Sequence, residues 1–233
     1  MDGTEVAVRS VETVGPDTVA LTLGTPDDFD AQPGQFVQLG ATVETEDGSE
    51  EEVTRHYTLS SPDSKDTFEV TVEVDPQGSL SPHLTDLEPG ATVEVAGPFG
   101  DAYYEGEDAV VVLAGGPGVG PAVGIGERAN REASERTSDD EPRVGDGPSV
   151  TVVYEDDAPA HEDRLTDLAD AGATVAITDD VSSEDVLELL ADAQGQLFIY
   201  GFADFLDRAT AALDAANVNA EGAKTENFGP APE

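Results

Sequence analysis

Apolar and polar residues alternate in short runs through the first hundred positions, at Thr4–Val11, Asp17–Gly24, Gln35–Leu39, Val53–Ser60, Thr67–Val74 and Thr92–Ala96. A period of two in β-branched segments is the mark of half-buried strands. Gly15-Pro16, Pro33-Gly34, Asp47-Gly48, Pro62-Asp63 and Pro89-Gly90 separate them as turns. Six such strands predict a small N-terminal antiparallel β-barrel over residues 1–102. Beyond Gly100 the pattern changes. An apolar strand, Ala109–Ala114, runs into glycines and then a helix from about Pro121, with strands to follow at Ser149–Tyr154, Thr174–Thr178 and Leu197–Tyr200. Helical segments fall at Glu162–Ala171, Ser183–Ala193 and Ala203–Ala216, and Ser182 with Asp185 has the spacing of a capping box. This alternation predicts a C-terminal α/β domain over 103–233, a parallel sheet with helices on both faces. Glu127–Pro148 is a charged insertion whose first part extends the helix and whose rest is a loop, either a solvated excursion or a docking element.

Charge narrows the setting. Acidic residues number 51 against 10 Lys+Arg, a formal net charge of −41, and Lys65 and Lys224 are the only lysines. Such self-repulsion opposes a compact state at ordinary ionic strength. At molar salt the screening length shrinks to about 3 Å. The expectation is therefore a cytoplasmic protein of a halophile. Nucleic acid is excluded as a partner, since phosphate contacts need Lys and Arg clusters. With no cysteine, disulfides, cysteine-ligated zinc and a built-in iron–sulfur cluster are excluded. The start MDGTEVAVRS lacks the apolar core of a signal peptide, and no run reaches the ~18 apolar residues of a membrane span.

Three motifs carry candidate chemistry. Val110–Pro121 is a buried strand that ends in Gly115-Gly116-Pro117-Gly118-Val119-Gly120 and opens a helix at Pro121. Glycines admit close backbone approach, and a helix start favours an anion such as pyrophosphate. It is neither a P-loop nor a G-x-G-x-x-G turn, so a plain connection and a phosphate site both stay open. Arg55-His56-Tyr57-Thr58 closes a strand with Arg55 and Tyr57 on one face and Thr58 on the other. The arginine could pair with phosphate and the tyrosine offers a face for a ring, against a surface arginine and a core tyrosine. Gly78-Ser79-Leu80-Ser81-Pro82 predicts a helix capped by Ser81 with Pro82 first, either an ordinary capped helix or a second anion site.

In this order the motifs resemble the ferredoxin–NADP reductase superfamily, across nearly the whole chain. The resemblance also rests on Pro33-Gly34-Gln35-Phe36, Gly97-Pro98-Phe99-Gly100, Tyr200-Gly201 and Glu226-Asn227-Phe228. It implies an FAD-binding barrel followed by a nicotinamide-dinucleotide domain. On that likeness Arg55 and Gly78, Ser79, Leu80 and Ser81 hold the flavin pyrophosphate, Tyr57 stacks on the flavin ring and Thr58 sits near the hydride-accepting nitrogen. Glu226 and Phe228 match the acidic and aromatic positions near the flavin, so Thr58, Tyr57, Phe228 and Glu226 form the catalytic set. Gly115, Gly116, Gly118, Val119 and Pro121, with Tyr200 and Gly201, shape the nicotinamide dinucleotide site.

Three departures stand out: Pro117 where the family commonly has threonine, Tyr200 for the cysteine of Cys-Gly-Pro, and Phe202 for its proline. After the second strand of the α/β domain comes Tyr154-Glu155-Asp156-Asp157. Carboxylates repel a 2′-phosphate, and Glu155 can accept a bond from a free ribose hydroxyl, so NADH is expected over NADPH. The expected activity is hydride transfer from NAD(P)H to FAD and on to a separate acceptor, a ferredoxin, another redox protein or a small molecule. The alternatives are a flavin-binding electron-transfer or regulatory subunit without productive nicotinamide binding, and a flavin-free nucleotide-binding protein.

Overall fold

Alternation decides the first sheet. In β1 (Thr4–Gly15) Val6 and Val8 are buried while Glu5 and Arg9 face solvent. β3 (Phe36–Glu44) and β6 (Thr92–Phe99) divide in the same way, while β2 (Thr18–Gly24) and β5 (Thr67–Glu73) each bury three successive residues; with β4 (Glu50–Thr58) all are paired antiparallel in the order β4-β3-β6-β1-β2-β5. The inward residues, among them Leu21, Leu23, Val37, Leu39, Phe68, Val70 and Val72, form one core, with Leu80 and Leu84 of α1 (Leu80–Thr85) closing one end. The computed structural model describes residues 3–44, 48–137 and 150–230. Asp47 of one expected turn, Ser149 of one expected strand and the 138–148 part of the insertion lie outside them.

The expected barrel is not closed. The edge strands of the curled six-stranded sheet meet only at the isolated Leu59↔Val70 bridge, just past the end of β4. Gaining a full ladder there would require β4 to continue, but Pro62 follows and has no N–H to give.

The second sheet is parallel throughout, ordered β11-β10-β7-β8-β9. Its centre, β7 (Val110–Gly115), is buried at every residue, as a strand covered on both faces must be. Val110, Val112 and Ala114 face the layer of α2 (Val119–Thr137) and α3 (Glu162–Asp170), while Val111 and Leu113 face α4 (Glu184–Asp192) and α5 (Ala203–Ala215). Flanking strands are β8 (Val150–Glu155), β9 (Thr174–Thr178), β10 (Gln196–Gly201) and β11 (Lys224–Asn227). The first part of the charged insertion does continue α2, to Thr137. Among the described residues no helix is long and apolar enough to cross a membrane.

Helix starts differ from expectation. α2 begins at Val119, after a 3-10 turn over Gly116–Gly118, so Pro121 is its third residue, still within the first turn where the missing N–H is harmless. α1 begins at Leu80 behind Ser79. Ser81 does not cap it; its hydroxyl accepts the Asp75 N–H at 3.0 Å. Ser182 does not cap α4 either, since its N–H and hydroxyl both go to Asp180 Oδ1, and Ser183 holds the cap position without a side-chain bond. In both turns an aspartate lies nearer than the helix N–H groups and takes the serine.

Candidate active site between the two sheets

The carboxyl end of β4 delivers Tyr57 and Thr58 to a cleft between the sheets. Register fixes them, with Phe36 opposite Thr58 and Val37 opposite Tyr57 on β3. The Phe36 ring stands edge-on to His56 at 5.3 Å and packs on Phe99 at 5.7 Å, walling that side. Thr71 and Glu73 of β5 add a polar side. The second sheet contributes Pro117 from the turn after β7, Phe202 after β10, and Glu226, Asn227 and Phe228 at the end of β11. Phe228 is anchored by its N–H on the Gly201 carbonyl at 2.9 Å and by an edge-on contact with Phe202 at 6.1 Å. The cavity, about 240 Å³, suits a ring system rather than a whole dinucleotide, whose tails must lie along the surface.

Electrostatics in the cleft favour protonated groups. Burial pushes the Tyr57 phenol up to about 12, with the nearby Arg55 charge pulling weakly the other way. Burial, reinforced by Asp101, raises Glu226 above the usual carboxylate range. Glu73 is raised by desolvation, then by Asp156 and Asp17. Both carboxyls thus hold a proton more readily than an exposed carboxylate does.

Of the residues expected from sequence, Tyr57, Thr58, Glu226 and Phe228 come together in this cleft. Arg55 does not line it. Exposed on β4, it shares a face with Tyr57 and donates to the Thr54 carbonyl at 2.8 Å. The Gly78–Ser81 turn, which leads into α1, does not line the cleft either; α1 packs on β3 and β4. There Leu80 is core and Ser81 is buried, while Ser79 is exposed.

The glycine turn divides by function. A Cβ on Gly115 would lie 2.3 Å from the Phe205 ring, and one on Gly118 would lie 2.2 Å from the Tyr200 carbonyl oxygen, so these two are required by packing. Gly116, at φ +53°, adjoins Glu73, and its neighbour Pro117 lines the cleft. Val119 is fully buried, and Pro121 is buried. Tyr200 does not reach the cleft. Its side chain is fully buried beside Phe198, and its hydroxyl donates to the Ala102 carbonyl. Gly201 packs on Phe205 and contributes its carbonyl to Phe228. Glu155 is already occupied: Oε1 pairs with Arg208, and Oε2 accepts the Val181 N–H at 2.9 Å.

Thr71 and Glu73 belonged to no motif, and His56 stood inside one without being given a role. One signal existed, since Glu69, Thr71 and Glu73 form a polar row alternating with the core residues Phe68, Val70 and Val72. Which neighbour that row faces depends on a second sheet more than thirty residues away.

With that geometry set, comparison with known proteins is informative. Residues 5–104 match the oxidoreductase FAD-binding domain family. The matched stretch takes in β1 from its second residue through β6, with Tyr57 and Thr58. It is similar to NADH-cytochrome b5 reductase 1 of Aspergillus clavatus, 37% identical over 95 residues, 40% of this chain and 30% of that protein. It is also similar to a probable dihydroorotate dehydrogenase B (NAD(+)) electron transfer subunit of Methanopyrus kandleri, 36% identical over 107 residues, 46% of this chain and 37% of that one. The match thus spans about a third of each relative. The fold as a whole matches the flavohem-like FAD/NAD binding domain of nitric oxide dioxygenase from Vibrio cholerae, with TM-score 0.76 and 21% identity, over 99% of this chain and 100% of that one.

Proposed function

We propose that this chain is an NADH-dependent flavin oxidoreductase: it binds FAD in the cleft between its sheets, accepts a hydride there and passes electrons to a separate acceptor. The observation that carries this reading is the convergence of Tyr57 and Thr58 from the first sheet with Glu226 and Phe228 from the last strand of the second. The residues fit a flavin: two aromatic faces, a hydroxyl and a carboxyl surround a cavity of ring-system size. FAD, when bound, supplies the hydride-accepting ring. Tyr57 offers the stacking face, Thr58 a hydroxyl for the ring edge, and Arg55 with the Gly78–Ser81 turn the charge and N–H groups for a pyrophosphate. The Gly116–Gly118 turn, at the carboxyl end of the central parallel strand, is where a dinucleotide phosphate would be received. Residues 1–102 and 103–233 are the corresponding units, and the setting is a salt-rich cytoplasm.

NADH is favoured over NADPH because Arg208, the cation beside the end of β8, is neutralised by Glu155. A second reading is a flavin-binding electron-transfer subunit that does not react with nicotinamide. Pro117, which has no N–H to offer a phosphate, and the withdrawal of Tyr200 into the core favour it. An anaerobic absorption spectrum in molar KCl separates the two. Flavin bands that bleach on NADH addition support the oxidoreductase. Bands that persist support the subunit, and a protein still colourless after FAD addition and desalting defeats both.

A further inference from the structure

The end of β4 is gripped from the second sheet's side. Ser60, fully buried, lies two residues beyond Thr58. Arg164 of α3 donates Nη2 to the Ser60 carbonyl at 2.7 Å and Nη1 to Glu69 of β5 at 2.8 Å. Glu127 of α2 orients the guanidinium by accepting Nε at 2.7 Å and Nη2 at 2.8 Å. Glu69 in turn accepts the Ser60 hydroxyl at 2.8 Å, and its carbonyl accepts the Ser60 N–H at 2.8 Å. Every polar group of Ser60 is thus held, and its carbonyl is held by a residue of the other sheet's layer.

Packing and a second bond reinforce the grip. A Cβ on Gly124 of α2 would lie 3.0 Å from the Ser60 oxygen, and one on Gly120 would lie 2.7 Å from Thr71 Oγ1. The helix backbone therefore rests directly on the strand ends. One turn before Arg164, His161 Nε2 lies 2.8 Å from Thr71 Oγ1, and Thr71 lines the cleft. α3 thus contacts both strands that supply the first sheet's share of the site.

We infer that Arg164 is a positioning residue for hydride transfer: by fixing the Ser60 carbonyl it sets where Thr58 stands relative to the Gly116–Gly118 turn. The inference rests on the flavin oxidoreductase reading above. A planar fork with three acceptors in fixed directions defines a geometry that a flexible ammonium cannot. Near-attack geometry is sensitive to displacements of about 1 Å. Loosening the grip should therefore slow the chemical step more than it weakens ligand binding.

The test is single-turnover reduction of the FAD-loaded full chain by NADH in molar KCl. Wild type comes first. If it binds no FAD, or its flavin does not bleach, the functional reading fails before Arg164 is in question. Given a reactive wild type, Arg164→Gln should lower the reduction rate per bound flavin at saturating NADH by about tenfold or more. FAD affinity and half-saturating NADH should stay within about threefold. Arg164→Lys should fall between the two. Arg131→Gln, which breaks a peripheral pair to Asp63 across the same interface at 3.3 Å, should react like wild type. If Arg164→Gln does not hold FAD, Glu127→Gln takes its place, since it disturbs only the orientation of the guanidinium, and it should show a smaller loss of the same kind. An unchanged rate per flavin in the variant that holds FAD, with only a lowered melting temperature, overturns the inference. So does an equal slowing by Arg131→Gln.

Discussion

At the residue scale, the site is a set of side chains whose settings are fixed by neighbours on other elements. Thr58 is buried opposite Phe36, where a small hydroxyl adds a hydrogen-bonding atom to an otherwise aromatic wall. Thr58→Ala should slow flavin reduction by about ten- to a hundredfold while FAD affinity changes little, as measured by stopped-flow at saturating NADH. Glu155 shows where sequence reasoning ran short. An acid after the second strand was legible as a ribose-binding candidate, but the arginine that consumes it is Arg208 on α5. Removing that carboxylate should leave Arg208 available to a 2′-phosphate, so Glu155→Gln should raise kcat/KM for NADPH relative to NADH by several-fold, on the order of 1 kcal/mol for an exposed pair. Tyr57, Thr58, Glu226 and Phe228 were legible through the ordered motifs that carry the resemblance, which single out positions at opposite ends of the chain. Thr71 and Glu73 were not, because a polar row on a strand does not say which surface covers it.

At the element scale, the strands of the first sheet followed from the period-two pattern and β7 to β10 from short apolar runs between helical segments, whereas β11 was not foreseen. Its four residues, Lys224–Asn227, carry no apolar alternation, and the strand exists because β10 offers it a parallel edge in register from Phe198↔Lys224 to Gly201↔Asn227. The glycine turn was legible as a turn, but its reasons are unequal. Gly118→Ala would press a methyl against the Tyr200 carbonyl. It should cost about 1–3 kcal/mol in guanidinium melts unless α2 shifts outward. α3 holds a further dependence. Burial, and then the Arg164 charge, push His161 down to about 3 from 6.5. Between those two values the unfolded chain binds a proton that the folded chain refuses, so stability falls as pH falls from 6.5 towards 3, with a limiting slope of about 1.4 kcal/mol per pH unit. His161→Gln should reduce that slope relative to wild type in melts at pH 7.5, 6 and 5, all in the same salt.

At the scale of the whole molecule, the two-sheet architecture was legible from the change of pattern at Gly100, whereas the openness of the first sheet was not. Closure depends on whether edge strands meet over several residues, and here they meet at Leu59↔Val70 alone. A formal charge of −41 should make the melting temperature climb steeply between 0.2 and 2 M KCl, as calorimetry would register. Six of the ten cations are engaged in ion pairs within the chain. Arg128, Arg131, Arg136, Arg164, Arg208 and Lys224 are each committed to a carboxylate of the same chain, and Lys224 also bonds the Tyr103 carbonyl. An incoming redox protein would therefore meet a predominantly anionic exterior, with Arg9, Arg55 and Lys65 as exposed cations. Its approach rate should betray its own sign: an acidic acceptor would be received faster as brine thickens, and a basic one more slowly.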